Sequence, residues 1–156
     1  MSPAQAKGHK AILEASSAEL EGGTLNAIGV LAEITRMRQF ATCAGRIAGD
    51  GVTFEPQLPS NKLDYLVDLL DQLGIPDEPT TKLVVVSQFT SVLELFAGHF
   101  QETISGQKGR NYSTPRTRTA LLTGNVTGAK RQQVIEDFNQ PAGTDSAHVL
   151  LSLIHI

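Results

Sequence analysis

The sequence holds no tryptophan, a single cysteine and little aromatic surface of any kind, aromatic residues making up 5% of its 156 positions. A lone cysteine, Cys43, can close no intrachain disulfide and build no cysteine-rich zinc site, which excludes the disulfide-stapled secreted classes and fits a reducing cytoplasm. No apolar stretch reaches the ~18 residues of a membrane span, and the start, Met1-Ser2-Pro3-Ala4-Gln5-Ala6-Lys7, lacks the apolar region of a signal peptide. These absences predict a cytoplasmic protein with no membrane partner. What is there is an aliphatic core of globular type, with 40% apolar and 19% charged residues, in a length that suits one domain of ~100–150 residues.

Acidic side chains are missing from one long stretch. Between Thr103 and Ile135 there is no Asp or Glu, while Lys108, Arg110, Arg116, Arg118, Lys130 and Arg131 all fall there, inside a chain whose formal net charge is −3. The remainder is correspondingly acidic, so the average hides a basic zone. Lys and Arg neutralise phosphates and release counterions, which makes a one-sign zone the footprint of a phosphate-bearing partner; the alternative is a solvated basic loop.

Periodicity organises the chain. Ala4 to Leu20 reads as a weakly amphipathic helix ended by Gly22-Gly23, and a second helix runs from about Thr24 to about Ala44, with Ala27, Val30, Leu31, Ile34, Met37 and Ala41 at helical spacing. Ala44 to Pro59 reads as a Gly/Pro-containing connector. Ser60 caps a helix carrying Leu63, Leu66, Val67, Leu69 and Leu70, which Gly74-Ile75-Pro76 closes. The pattern then changes. Lys82-Leu83-Val84-Val85-Val86 is short and β-branched and reads as a buried parallel strand; a helix from about Ser91 to Ile104 follows it. A polar, basic loop (Ser105 to Thr117), a strand (Thr119 to Leu122), a helix (Thr127 to Asn139) and a strand (Ala147 to Leu150) complete the alternation. Strand, helix, strand, helix, strand predicts an α/β fold, a doubly wound, mostly parallel sheet, preceded by two N-terminal helices.

Such sheets bind ligands beyond the carboxyl ends of their strands. Ser87-Gln88-Phe89-Thr90-Ser91 follows the first strand, where Gln88, Thr90 and Ser91 offer amide and hydroxyl groups at a helix N-terminus suited to phosphate; Thr90 and Ser91 also read as plain N-caps. Thr123-Gly124-Asn125-Val126-Thr127-Gly128 follows the second. Gly124 permits a tight turn or close backbone approach, Thr127 can cap the next helix, and Lys130 and Arg131 sit in its first turn, where a cation opposes the dipole unless an anion is near. No Walker A loop and no G-x-G-x-x-G fingerprint occurs, and Asp77-Glu78 reads as surface loop between Pro76 and Pro79. His9, His99, His148 and His155 lack metal-ligand spacing, and Cys43 reads as a small buried hydrophobe, so neither a metal site nor a catalytic residue is assigned.

Taken together, Ser60-Asn61-Lys62-Leu63, Leu69-Leu70, Lys82 through Thr90, Leu122-Thr123-Gly124, Arg131, Ile135 and Phe138-Asn139 resemble the second, RecA-like lobe of Swi/Snf-type DNA-dependent ATPases of helicase superfamily two. Ile34-Thr35-Arg36-Met37-Arg38-Gln39 looks like the helix preceding that lobe. Thr123 stands where the family commonly has Asp, and Cys43-Ala44 where a Cys/His-Pro pair is usual. The resemblance spans about residues 24–150 and implies an incomplete RecA-like lobe at 60–150 behind a helical lead-in and connector at 1–59.

It further implies part of an ATP-driven helicase or translocase acting on double-stranded DNA. Gln88, Thr90, Ser91, Gly124, Asn125, Thr127, Lys130 and Arg131 would face the nucleic acid, with ATP and Mg²⁺ held mainly by a separate first lobe and no hydrolysis by this chain alone. The alternative is a non-catalytic nucleic-acid-binding module; a small-molecule domain is disfavoured by the missing cofactor loop. Leu151-Ser152-Leu153-Ile154-His155-Ile156 resembles the translation of a sequencing adapter and is expected to be foreign to the lobe.

Overall fold

The computed structural model of the chain describes residues 2–21, 27–75, 80–105, 117–126, 128–141 and 146–153, which fall into two compact units, Met1–Asp64 and Tyr65–Ile156. In the first unit, helix α1 (Pro3–Glu21) opens on a reciprocal cap: Gln5 N–H donates to Ser2 Oγ at 3.2 Å, and Ser2 N–H donates to Gln5 Oε1 at 2.9 Å. Each side chain satisfies a donor that a helix start leaves open, and Pro3 takes the first helical position, where no N–H is needed. Gln5 Nε2 also donates to Phe40 O at 3.2 Å, which ties α1 to helix α2 (Ala27–Thr42). Gly8 lets the two helices meet, because a Cβ there would come within 2.4 Å of the Phe40 ring.

Residues 44–59, expected to be a bare connector, contain an antiparallel hairpin of β1 (Ala44–Ile47) and β2 (Phe54–Gln57), with Ala44 opposite Gln57 and Ile47 opposite Phe54. Asp50 builds its turn. The carboxylate accepts the Thr53 hydroxyl at 2.5 Å and the N–H groups of Thr53 and Val52, both at 2.9 Å; the Thr53 bonds lead in holding its pKa down to about 2. Arg36 Nη2 donates to Gly51 O at 2.5 Å, joining α2 to the same turn. Phe54 meets Phe40 edge-on with ring centroids 5.1 Å apart. Cys43 is fully buried and donates to Gln57 O at 3.0 Å; burial pushes its thiol pKa up, which keeps it protonated and inert.

Helix α3 (Asn61–Gln72) begins where Ser60 caps it, with Leu63 N–H donating to Ser60 Oγ at 3.3 Å while that hydroxyl donates to Thr42 O at 3.1 Å. Leu63, Leu66, Val67 and Leu70 form its buried stripe. It ends on a left-handed glycine, Gly74 (φ 70°), with Gly74 N–H on Asp71 O at 3.1 Å and Ile75 N–H on Leu70 O at 2.9 Å, a Schellman closure.

The second unit is α/β. Strand β3 (Leu83–Ser87), helix α4 (Thr90–Ser105), strand β4 (Thr119–Leu122), helix α5 (Gly128–Asn139) and strand β5 (Val149–Leu153) alternate, and the strands form a parallel sheet in the order β3-β5-β4. α4 packs across all three strands, while α5 lays Phe138, Ile135 and Val134 against Leu122, Leu150 and Ala120. Lys82 Nζ donates to the carbonyls of Phe138 and Gln140 at the end of α5 and sits 5.0 Å from the Phe138 ring centroid, a cation where the helix dipole favours one.

Two expectations shift. β5 lies at Val149–Leu153 rather than 147–150, so Leu151 to Leu153, set apart in the sequence, pair within the sheet. Strand pairing follows from hydropathy and backbone, and does not bear on where a segment comes from. β3 is parallel as expected but not buried: Val84 and Val86 are exposed, because β3 is an outer strand that α5 does not reach. Among the described residues no helix is long and apolar enough to cross a membrane.

Candidate nucleic-acid interface

Because the strands are parallel, β3 and β4 deliver the residues that follow them to one edge of the sheet, two strand spacings of ~4.8 Å apart with β5 between. At the end of β3, Ser87 Oγ accepts the Phe89 N–H at 3.1 Å, and Leu93 N–H reaches Phe89 O at 3.3 Å. Phe89 is therefore the residue flanking α4. Thr90 and Ser91, read in sequence as caps, instead begin the helix and are half-buried. The helix start lies one residue earlier than composition suggests, because the Ser87 hydroxyl supports the turn that a phenylalanine side chain cannot. Gln88 is exposed at its tip.

At the end of β4, Thr123 is buried and its carbonyl accepts Val126 N–H at 3.0 Å, closing a turn with Gly124 and Asn125 exposed. Gly124 does not need a left-handed φ, and a Cβ there would meet nothing; its bareness leaves the backbone open to close approach from outside. The left-handed residue is Gly128 (φ 54°), the first of α5. Thr127 lies outside the described residues, as do Asp77, Glu78, Lys108, Arg110 and Arg116.

Lys130 and Arg131 stand in the first turn of α5. Lys130 is exposed; Arg131 is half-buried, and its Nη2, shut away from solvent, has no hydrogen-bond partner. Neither belongs to the ion pairs found among the described residues, Lys10 with Glu14 and Arg46 with Glu55. The basic zone is not one surface, however. Arg118 precedes β4 and lies at the opposite, amino edge of the sheet, near Lys82 and His148. Charge counting along the chain could not separate these edges, since strand direction decides between them.

Gln88, Thr90, Ser91, Gly124, Asn125, Lys130 and Arg131 thus share one edge, where hydroxyl, amide, backbone N–H and cationic groups suit phosphate oxygens. They offer no carboxylate to a magnesium ion, which takes oxygen ligands, and no cluster of three or more His, Cys, Asp or Glu able to hold a metal occurs among the described residues. Compared with known proteins, the sequence matches no protein-family model and no curated protein.

Proposed function

We propose that this chain is a part of the second, RecA-like motor lobe of a Swi/Snf-type DNA translocase or helicase, meeting the phosphate backbone of double-stranded DNA while a first lobe supplies the ATP and Mg²⁺ site. The observation that carries the proposal is the parallel pairing of β3 and β4 with β5. It gathers Gln88, Thr90 and Ser91 with Gly124, Asn125, Lys130 and Arg131, residues far apart in sequence and none of them a carboxylate, on a single edge. Two helices, α4 and α5, also begin there, so the edge carries open N–H groups and the positive ends of two helix dipoles.

Fluorescence anisotropy of a labelled DNA duplex titrated with the chain over a range of salt concentrations tests it. Binding should be weak and fall steeply with salt. Lys130→Ala should weaken it and lower the slope of log K against log salt by about 0.9 for one lost phosphate contact. Arg131→Ala should act in the same direction; an unchanged affinity would assign Arg131 to packing within α5. Binding that ignores salt would overturn the proposal.

A further inference from the structure

Asp50-Gly51 is the only place in the chain where an Asp or Asn is followed by glycine. This pairing is the one most prone to rearrange, because glycine puts no side chain beside the backbone nitrogen that attacks the neighbouring carboxyl carbon. The pair lies in the turn between β1 and β2, with Asp50 exposed to water and Gly51 in the left-handed region at φ 69°. A Cβ on Gly51 would meet nothing, so packing does not protect the bond.

Hydrogen bonds do. For the reaction, the Gly51 nitrogen must give up its proton, the Asp50 carboxyl must swing its carbon onto that nitrogen, and one carboxyl oxygen must leave as water. The turn opposes each step. Gly51 N–H is donated to Ala48 O at 2.9 Å. Asp50 Oδ1 accepts the N–H groups of Val52 and Thr53, both at 2.9 Å, and Oδ2 accepts the Thr53 hydroxyl at 2.5 Å, which pins the side chain toward the residues beyond Gly51. The same donors keep the carboxyl ionised, the form with the poorer leaving oxygen. Around them, Arg36 Nη2 holds Gly51 O at 2.5 Å, and Ala48 N–H donates to Thr53 O at 2.8 Å.

We propose that Asp50-Gly51 is a latent modification site, closed while the hairpin turn keeps these bonds and converted to isoaspartate when the turn opens. With the turn open, Gly51 N bonds to Asp50 Cγ, and the amide proton leaves with the hydroxyl of the protonated carboxyl as one water, giving a succinimide ring. Water then adds to the Asp50 backbone carbonyl carbon, its bond to Gly51 N breaks, and the nitrogen takes back a proton. Water lost equals water gained, and nothing is oxidised or reduced. The backbone now runs through Cβ and Cγ, and the carboxylate hangs from Cα, so the acceptor for Val52 and Thr53 is displaced and the original turn cannot be rebuilt. Isoaspartate therefore accumulates with the time the hairpin spends open. Neither DNA nor ATP enters into it, so failure of the DNA-binding test leaves it standing, and its own failure leaves that test untouched.

The 156-residue chain is held at neutral pH, folded in one sample and unfolded in urea in another, and portions taken over time are digested with trypsin. Reversed-phase chromatography with mass spectrometry separates the Ile47–Lys62 peptide from its isoaspartate form of equal mass. Isoaspartate should form at least about tenfold more slowly in the folded chain, as for a group that must wait for local opening. Thr53→Val, which removes the hydroxyl donor but keeps the N–H, and Arg36→Ala, which releases Gly51 O, should each speed it severalfold with the melting transition retained, while Thr53→Ser should stay slow. Equal rates in the folded and unfolded chain would overturn the proposal. So would folded Thr53→Val and Arg36→Ala chains that react no faster than the parent, or a Thr53→Ser chain that reacts as fast as Thr53→Val.

Discussion

Arg118 and His148 hold each other where β4 and β5 begin to pair: Arg118 N–H donates to His148 Nδ1 at 3.2 Å, and His148 N–H donates back to Arg118 O at 2.9 Å. The His148 carbonyl meanwhile accepts Leu83 N–H at 2.9 Å, so this one residue fastens all three strands at the amino edge of the sheet. Burial first, then the positive charges of Arg118 and Lys82, depress the imidazole pKa below its ordinary 6.5. Nδ1 can accept the Arg118 proton only while unprotonated.

The sign of the pH effect follows. The folded chain binds fewer protons at His148 than the unfolded one, so this contribution to stability is complete above 6.5 and is lost as pH falls through that value toward the depressed one. The melting temperature should therefore drop between about pH 7.5 and pH 5.5. His148→Asn keeps an acceptor without a titrating ring and should flatten that part of the profile. Identical profiles for the two proteins would remove His148 from this role.

Gly45 and Gly49 stand close in sequence and opposite in consequence. A Cβ on Gly45 would lie 2.5 Å from Glu55 O and 2.6 Å from the Phe54 ring, whereas one on Gly49 would meet nothing. The Glu55 carbonyl is backbone of the hairpin and the Phe54 ring is held against Phe40, so neither can retreat freely. Gly45→Ala should cost about 1–3 kcal/mol in urea unfolding, the range of overpacked sites. Gly49→Ala should stay within about 0.5 kcal/mol.

Ser60 has two partners to lose. Its fully buried hydroxyl accepts Leu63 N–H and donates to Thr42 O, so Ser60→Ala strips the cap from α3 and leaves a carbonyl at the end of α2 without its donor. The expected loss is about 1–3 kcal/mol by urea denaturation. Ser60→Thr, which keeps the hydroxyl, should recover part of it; no recovery would shift the blame from the hydrogen bonds to packing.

The chain alone should hydrolyse no ATP, with or without DNA, in a coupled phosphate-release assay. The edge proposed to meet phosphates carries hydroxyls, amides and cations, and phosphoryl transfer requires metal-held phosphates positioned for in-line attack. Turnover above background would refute the division of labour between two lobes.

Helix ends were legible in sequence because caps are local chemistry: Ser60 at the start of α3 and Gly74 at its end stand where their residue types demand. The reciprocal cap of Ser2 and Gln5 was equally legible in principle, a Ser followed three residues later by Gln. The hairpin at 44–57 was not. Its four-residue strands, Ala-Gly-Arg-Ile and Phe-Glu-Pro-Gln, carry too little alternation to stand out from a loop, and cross-strand pairing with the Asp50 turn makes them strands.

By itself the sequence determined the alternation of elements in the second unit, since periodicity and capping act over a few residues. It also named the residues that follow each strand. Which of them share an edge was decided only by the tertiary structure, because strand order and direction are long-range pairings: Gln88 and Lys130 lie toward one edge, while Arg118, from the same basic stretch, goes to the other. Burial was decided there as well. Leu83-Val84-Val85-Val86 reads as interior by composition, yet Val84 and Val86 face outward because the helix layer on their side ends at β5.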